Sequence, residues 1–506
     1  MKKFLSIVLA TLMILSVCTA CGGNAGKGDG SVTLTWYVPG DKYPDTALVS
    51  EELSKITMEK IGCKIDIQFI DEGSFQERMN MNMASSADYD LAFVGYLNTF
   101  QQAASKGGLM ELDELLKSTP ALVEAIPEYI MNSGIYQGKM YAIPNMQITA
   151  SATAAVVPKD YADEFGLDFS KINDTFDYEP YLEWIKANKP DVFPFRTNWG
   201  VSSFRSTDEQ TPAGGDFFNF TNNGEQLYSA VKDSENKKFT AVFGYEEGVG
   251  NTRVKADKLH EYYKKGWIRQ DVDSVLDDTA EHKQKRFGIW FSTYKPGMDG
   301  ESRNSLGYET VSTRISPVSL GSAAATMIGI GKDCKHPQEA IKFIELINTD
   351  KEAYNLVCFG IEGKHYKKVG ENRIELIPNS GYNPNASWKF GNQFNAYFMP
   401  GQSDTVWEET KELNDLGYQQ SLENPNLSTF GFTFVQDDIK TSITKVTEVK
   451  NKYNCLRTGS KDPATYWDKM VKEMYDSGLQ VIIDEYQKQM DEFLAANPDV
   501  IDQIKW

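Results

Sequence analysis

VTLTWY, residues 32–37, with TALVSEELSKITMEKIG, residues 46–62, and CKIDIQF, residues 63–69, forms the stretch whose reading decides the fold. Val32, Leu34 and Trp36 alternate with Thr33, Thr35 and Tyr37, the period of two expected of a strand. A turn containing Pro39, Gly40 and Pro44 follows. After Asp45 as a cap, Leu48, Val49, Leu53 and Ile56 fall on one helical face, and Gly62 closes the helix. Cys63, Ile65, Ile67 and Phe69 then restore the alternation. Strand, helix, strand is the unit of a parallel sheet with a right-handed crossover, so the spacing predicts an α/β fold.

The pattern continues outward. A helix is predicted near Gln76 to Ala84, then a compact apolar strand from Tyr89 to Val94, ended by Gly95 and Tyr96. Ligands of open parallel sheets lie beyond the carboxyl ends of the strands, which here means the turns after Trp36 and after Val94. Pro337 opens a further helix with Ala340, Ile341, Ile344 and Ile347 on one face. From about Tyr453 the chain reads as helical nearly to its end. Trp467, Met470, Val471 and Met474 form one stripe, and Ile482, Ile483, Tyr486, Met490 and Phe493 another, with Gly478 between them. Such stripes are packing faces against a globular lobe. No repeat of fixed period is visible.

The opening residues carry processing information instead of fold. Met1, Lys2 and Lys3 precede an apolar run from Phe4 to Val17, too short to span a bilayer, and then Cys18-Thr19-Ala20-Cys21. Residues 1–20 are therefore expected to be a signal peptide. The cysteine after Ala20 resembles the lipobox of bacterial lipoproteins, which implies acylation at Cys21. Cys18 departs from that pattern, standing where an aliphatic residue is usual. The C-x-x-C pair of Cys18 and Cys21 straddles the expected cut and is not a redox motif. Gly22 to Gly30, GGNAGKGDG, has no apolar anchor, so residues 21–30 read as lipidated cysteine plus flexible tether.

The chain has 506 residues and a net charge of −19, and loss of Lys2 and Lys3 with the signal makes it −21. Such an acidic surface disfavours nucleic acid phosphates and anionic lipid heads as partners. With 41% hydrophobic and 12% aromatic residues, the chain can bury a sizeable core, and its length implies at least two domains. Cys63, Cys334, Cys358 and Cys455 show no zinc-type spacing; disulfides and buried thiols are both open to them.

Three segments resemble the extracellular solute-binding proteins of ABC importers, the family that includes maltose-binding protein. Gly138-Lys139-Met140-Tyr141-Ala142-Ile143-Pro144 is similar to that family's G-x-x-Y-x-x-P stretch, and Tyr89-Asp90-Leu91-Ala92-Phe93 to the strand that reaches its ligand cleft. Phe359-Gly360-Ile361-Glu362-Gly363-Lys364-His365-Tyr366 is similar to the Y-G-I-E-G-x-H-Y signature of a lipoprotein subgroup, with Phe359 replacing the usual Tyr. Trp388-Lys389-Phe390-Gly391-Asn392 fits the W-x-x-G-N segment that follows it there, and the tail from about Phe430 resembles the subgroup's uncharacterised C-terminal domain.

The resemblance implies a two-lobed, periplasmic-binding-protein-like α/β fold with hinge crossovers and a helical C-terminal region. Lobe I is expected over residues 31–146 and 323–359, and lobe II over 147–322 and 360–506, including the family domain from about 430. It also implies a monomer, anchored by lipid at the extracytoplasmic face of the cell membrane. Such a protein hands a ligand to ABC permease subunits, with no nucleic acid partner, cofactor or metal and no catalysis of its own.

A sugar presents apolar C–H faces and a ring of hydroxyls, so its site needs aromatic platforms beside planar polar groups. Trp290, after Phe287-Gly288-Ile289, resembles the family's G-x-W stacking position, with a core tryptophan as the alternative. Tyr96 sits just past a strand end. Asp41 and Lys42 occupy the turn after the first strand, where related binders hold ligand hydroxyls and where a merely solvated turn is the alternative. Trp388 and Asn392 join a platform to an amide, and Trp199 lies in a loop placed to line the second lobe. Glu362 and His365 sit among glycines that suggest a tight turn, so geometry is their expected role.

A peptide receptor of the same fold and a secreted glycoside hydrolase with paired carboxylates are the other readings. The chain has no G-x-S-x-G, H-E-x-x-H or G-x-x-x-x-G-K-[ST] motif. Asp271, Asp273, Asp277 and Asp278 lack the glycine of an EF-hand loop, and the four histidines are scattered singly.

Overall fold

The computed structural model describes residues 31–85, 89–97, 100–207, 228–233, 235–245, 252–275, 277–321, 323–423, 427–430, 432 and 434–504. The expected signal peptide, Cys21 and tether lie outside the described residues.

The chain begins as its pattern predicts. Strand β1 (Val32–Pro39) pairs in parallel with β2 (Cys63–Ile70) from Val32 opposite Cys63 to Pro39 opposite Ile70, with helix α1 (Thr46–Lys60) between them. Helix α2 (Glu72–Ala84) leads to β3 (Leu91–Gly95), which lies parallel to β1 on its other side. Leu34, Trp36 and Val38 are fully buried, as one face of the alternation requires. Burying each such side chain contributes about 2–3 kcal/mol.

From β4 (Ala142–Pro144) the chain leaves this sheet through β5 (Ala150–Ser151) and enters a second one. There β6 (Thr153–Pro158), β7 (Phe193–Phe195), β8 (Phe287–Thr293) and β9 (Thr310–Arg314) stand in the order β9-β6-β8-β7. It returns through β10 (Ser319–Leu320), antiparallel to β5, and β11 (Thr326–Ile330) completes the first sheet in the order β2-β1-β3-β11-β4. Two sheets joined by a paired crossing make a two-lobed architecture.

Each sheet has its own core. The first gathers Trp36, Leu53 and Ile67 with Ile341, Ile344 and Ile347 of α6 (Pro337–Thr349) and Tyr354 of α7 (Lys351–Phe359). The second packs Ala155, Val157, Ile289 and Phe291 against α3 (Glu179–Asn188), α4 (Thr252–Lys264) and the carboxyl-terminal helices α9 (Lys440–Lys452), α10 (Pro463–Asp476) and α11 (Leu479–Ala496). The stripes of Met470, Met474, Ile482, Tyr486 and Met490 are buried here, and Gly478, in the left-handed region, separates α10 from α11.

One domain boundary needs correction. The resemblance places residues 360–506 as a block in lobe II, yet Tyr366, Ile374, Tyr382, Phe390, Val406 and Trp407 are buried in the first core. The cause is local. Tyr354 Oη donates to the Ser387 carbonyl at 2.7 Å, and Asn355 Nδ2 donates to the Asn395 carbonyl at 2.8 Å, so α7 holds the following chain against its own lobe.

Helix α8 (Val406–Glu423) then lies along the crossing. Asn414 Oδ1 accepts from the Thr149 and Ala150 amides at 2.8 and 2.9 Å, while its Nδ2 donates to the Gln147 carbonyl. On the returning strand, the Val318 amide donates to Gln420 Oε1 and the Leu320 amide to Ser421 Oγ. Gly417 permits this close approach, because a Cβ there would stand 2.9 Å from the Ser319 carbonyl oxygen. The short crossing strands leave these backbone groups without a full ladder, and α8 satisfies them instead.

Candidate functional site

Three parallel strands of the first sheet end together, and the residues just beyond them build one surface. Past β3, Gly95 adopts φ +153°, and a Cβ there would lie 2.0 Å from the Ala325 carbonyl oxygen, so only glycine fits. The next residue, Tyr96, is bonded through its amide to that carbonyl and leaves its ring 45% exposed. Trp388 meets it from the strap that follows α7: the two rings are 5.8 Å apart and tilted by 46°.

Below this pair sits an ion pair that the sequence did not flag. Lys389 is only 5% exposed, its ammonium bonded to the Glu72 carboxylate and, at 3.1 Å, to the Pro39 carbonyl, and it lies 4.9 Å from the Trp388 ring centroid. Tyr96 Oη donates to the same Glu72 oxygen at 3.2 Å. Lys389 thus ties the ends of β1 and α2 to the strap and orients Trp388, while Glu72 orients Tyr96. The Lys389 ammonium holds the Glu72 carboxyl below its ordinary value, and burial together with Glu72 pushes the Tyr96 phenol up.

Beside the pair opens a hollow of about 310 Å³ lined by Asp41, Tyr43, Asp71, Glu72, Lys389 and Phe390, among others. Asp41 therefore lines this hollow. Lys42, exposed in the same turn, does not line the hollow. Tyr43 packs edge-on against Phe69 and Tyr382 at 5.1 and 5.5 Å. Behind it the signature segment closes a latch. The Ile361 amide donates to His365 Nδ1 at 2.8 Å, which leaves the ring proton on Nε2 to donate to Asp45 at 3.0 Å. Lys364 reaches the same carboxylate, and the two partners, Lys364 first, hold the Asp45 carboxyl below its ordinary value. His365 is fully buried, so the latch fixes the turn that carries Asp41 and Tyr43.

The other candidates separate from this surface. Asn392 spends its side-chain oxygen on the Phe394 amide, capping a short 3-10 turn. Trp290 takes the alternative given for it, a core tryptophan, and is not an exposed platform in this structure. It is 4% exposed, on the face of β8 opposite Ile289 and Phe291, packed with Ala154, Val156 and Met298 of α5 (Met298–Leu306) and covered by the His282 ring at 4.5 Å. Strand alternation cannot tell which of two covered faces a tryptophan enters. Trp199 follows β7 and is half-buried against the second core.

No metal chemistry gathers around these groups. Among the described residues, no cluster of three His, Cys, Asp or Glu side chains forms. Asp271 pairs with Arg269, Asp278 with Arg196, and Asp273 accepts from Thr458 and Ser460. All four cysteines considered are free thiols, and burial pushes Cys63 up to about 11 and Cys334 up to about 12.

The fold and the cleft surface define a two-lobed binding protein. Residues 44–354 match the bacterial extracellular solute-binding protein family, and the chain belongs to it. Residues 428–495 match a domain of unknown function, DUF3502, where the tail resemblance placed it. A carbohydrate ABC transporter substrate-binding protein of Streptococcus pneumoniae is 27% identical over 97% of this chain and 98% of its own length. The crystal structure of the N-glycan transport solute binding protein NgtS from that organism superposes with a TM-score of 0.77, at 24% identity, over 92% of this chain and 99% of that one. The same protein in complex with Man1GlcNAc gives 0.67 at 25% identity over the same shares.

Proposed function

We propose that this chain captures an oligosaccharide between its lobes and delivers it, chemically unaltered, to the permease of an ABC importer. The observation that carries the reading is the Tyr96–Trp388 pair standing over the Glu72 carboxylate at the carboxyl ends of parallel strands. Two tilted rings offer apolar faces to a sugar's C–H surface, and the carboxylates of Asp41 and Glu72 accept its hydroxyls. Trp199 is the second lobe's contribution to the opposite wall. The names of the full-length relatives support the same ligand class.

In this reading residues 1–20 direct export, Cys21 carries the lipid, and the protein works as a monomer at the extracytoplasmic face of the membrane. Closure of the lobes about β5, β10 and α8 then presents the loaded form to the permease.

A thermal-shift screen of oligosaccharides against peptides tests this, because a ligand at 100 times its dissociation constant stabilises by about 2.7 kcal/mol. Stabilisation by glycans is expected. Stabilisation by peptides alone, or turnover of any glycan, sinks the reading.

A further inference from the structure

The hollow beside the aromatic pair has an uneven charge. Asp41, Asp71 and Glu72 line it with three carboxylates, and Lys389 supplies one ammonium. That ammonium is already committed to Glu72 and the Pro39 carbonyl and is nearly excluded from solvent. The other cation of the β1 turn, Lys42, is not among the lining residues. Tyr43, on the same wall, feels both Asp41 and Glu72, each of which adds to burial in pushing its phenol up. The carboxylates therefore converge on one space.

Their placement on α2 sharpens the point. The amino end of a helix, with its free amide groups and positive dipole end, is the ordinary seat for the carboxylate or sulfate of an anionic ligand. Here Asp71 stands at the cap position without a side-chain capping bond and Glu72 at the first helical position, bonded to Lys389 and Tyr96, so two carboxylates of the chain already flank that helix end. An incoming anion seated there would meet their like charges well within a Debye length, where repulsion between exposed groups still acts and weakens as salt is raised.

We infer that this half of the cleft selects uncharged glycans and rejects those carrying uronate, sialate or sulfate groups on the ring seated against Tyr96 and Trp388. Hydroxyl donors gain from the same carboxylates that repel the acidic sugars, so one set of residues supplies both attraction and discrimination. The inference rests on the carbohydrate reading above and adds the ligand's charge to it.

The test uses titration calorimetry on the full chain. The probes are a panel of neutral manno-, gluco-, galacto- and N-acetylglucosamine oligosaccharides, the C6-oxidised uronate form of each one that binds, and a parallel set of natural uronate and sialylated oligosaccharides. Each uronate form is expected to bind at least tenfold more weakly than its neutral parent. The gap is expected to narrow in raised salt and in the double variant Asp41→Asn, Asp71→Asn, which keeps the shapes and removes the charges. Equal or tighter binding of the uronate forms overturns the inference. So does a gap that the double variant leaves intact, since size and not charge would then be the cause. Binding of acidic glycans alone overturns it while leaving the carbohydrate reading in place, whereas binding of no glycan at all removes both.

Discussion

Tyr96 and Trp388 face each other across 5.8 Å, one at the end of β3 and the other on the strap beyond α7, and both are anchored through the same buried lysine and its carboxylate partner. The pair is preformed, so a ligand need not order it on arrival. Replacing Trp388 with Ala removes half the platform and is expected to weaken glycan binding roughly 30-fold, about 2 kcal/mol, with little loss of thermal stability. Calorimetry beside a melting curve checks both halves. Unchanged affinity takes Trp388 out of the site.

Lys389→Met is expected to lower stability by about 1–3 kcal/mol, since it leaves the Pro39 carbonyl and Glu72 without their partner. The variant should also change the response to acid. Lys389 keeps the folded Glu72 carboxyl below its ordinary 4.5, so the unfolded chain binds more protons in that window. The pair's stabilisation is full above the unfolded value and is lost as pH falls through the folded one. Urea unfolding between about pH 6 and pH 3 should show a shallower acid loss in Lys389→Met than in the parent, and an equal loss would place Glu72's shift elsewhere.

Gly360 carries the latch. Its φ of 74° with ψ −145° suits glycine alone, and a Cβ there would stand 2.3 Å from His365 Nδ1. Gly360→Ala is expected to cost about 3 kcal/mol and to weaken glycan binding as the Asp41 turn loosens. Full stability in the variant would show that His365 does not hold that turn.

Trp290 serves as the counter-case. Buried under His282 and Met298, it should cost about 3–5 kcal/mol on replacement by Ala, read from denaturant unfolding. The surviving folded fraction should bind glycan with parental affinity. Weakened binding in that fraction would restore it to the cleft.

The first lobe was legible because its signals are local. The alternation of Val32, Leu34 and Trp36 and the face of Leu48, Val49, Leu53 and Ile56 depend only on near neighbours; the strand appears as read, and the helix buries Val49 and Leu53 while Leu48 and Ile56 stay half-buried beside buried Ser50 and Thr57. The placement of Tyr96 follows from topology, one residue past a buried strand, and Trp388 is singled out by the family resemblance; the structure brings their rings together. Lys389 and Glu72 escaped, because a lysine becomes a buried strut only when a strap distant in sequence folds over it, and nothing beside it records that event. The same holds for Asn414, Gln420 and Ser421, which read as an ordinary polar helix face until the crossing strands lie against them. The lobe that takes the chain from 360 onward is hidden for a related reason: the pattern shows that Tyr366, Phe390 and Trp407 seek a core, and only the contacts with α7 decide which one.

Small-angle X-ray scattering of the full chain, without ligand and with a saturating oligosaccharide from the screen, tests the central claim most directly. A smaller radius of gyration with the glycan, abolished in Trp388→Ala at the same concentration, is the predicted result. An identical radius with the glycan demonstrably bound would contradict capture between closing lobes.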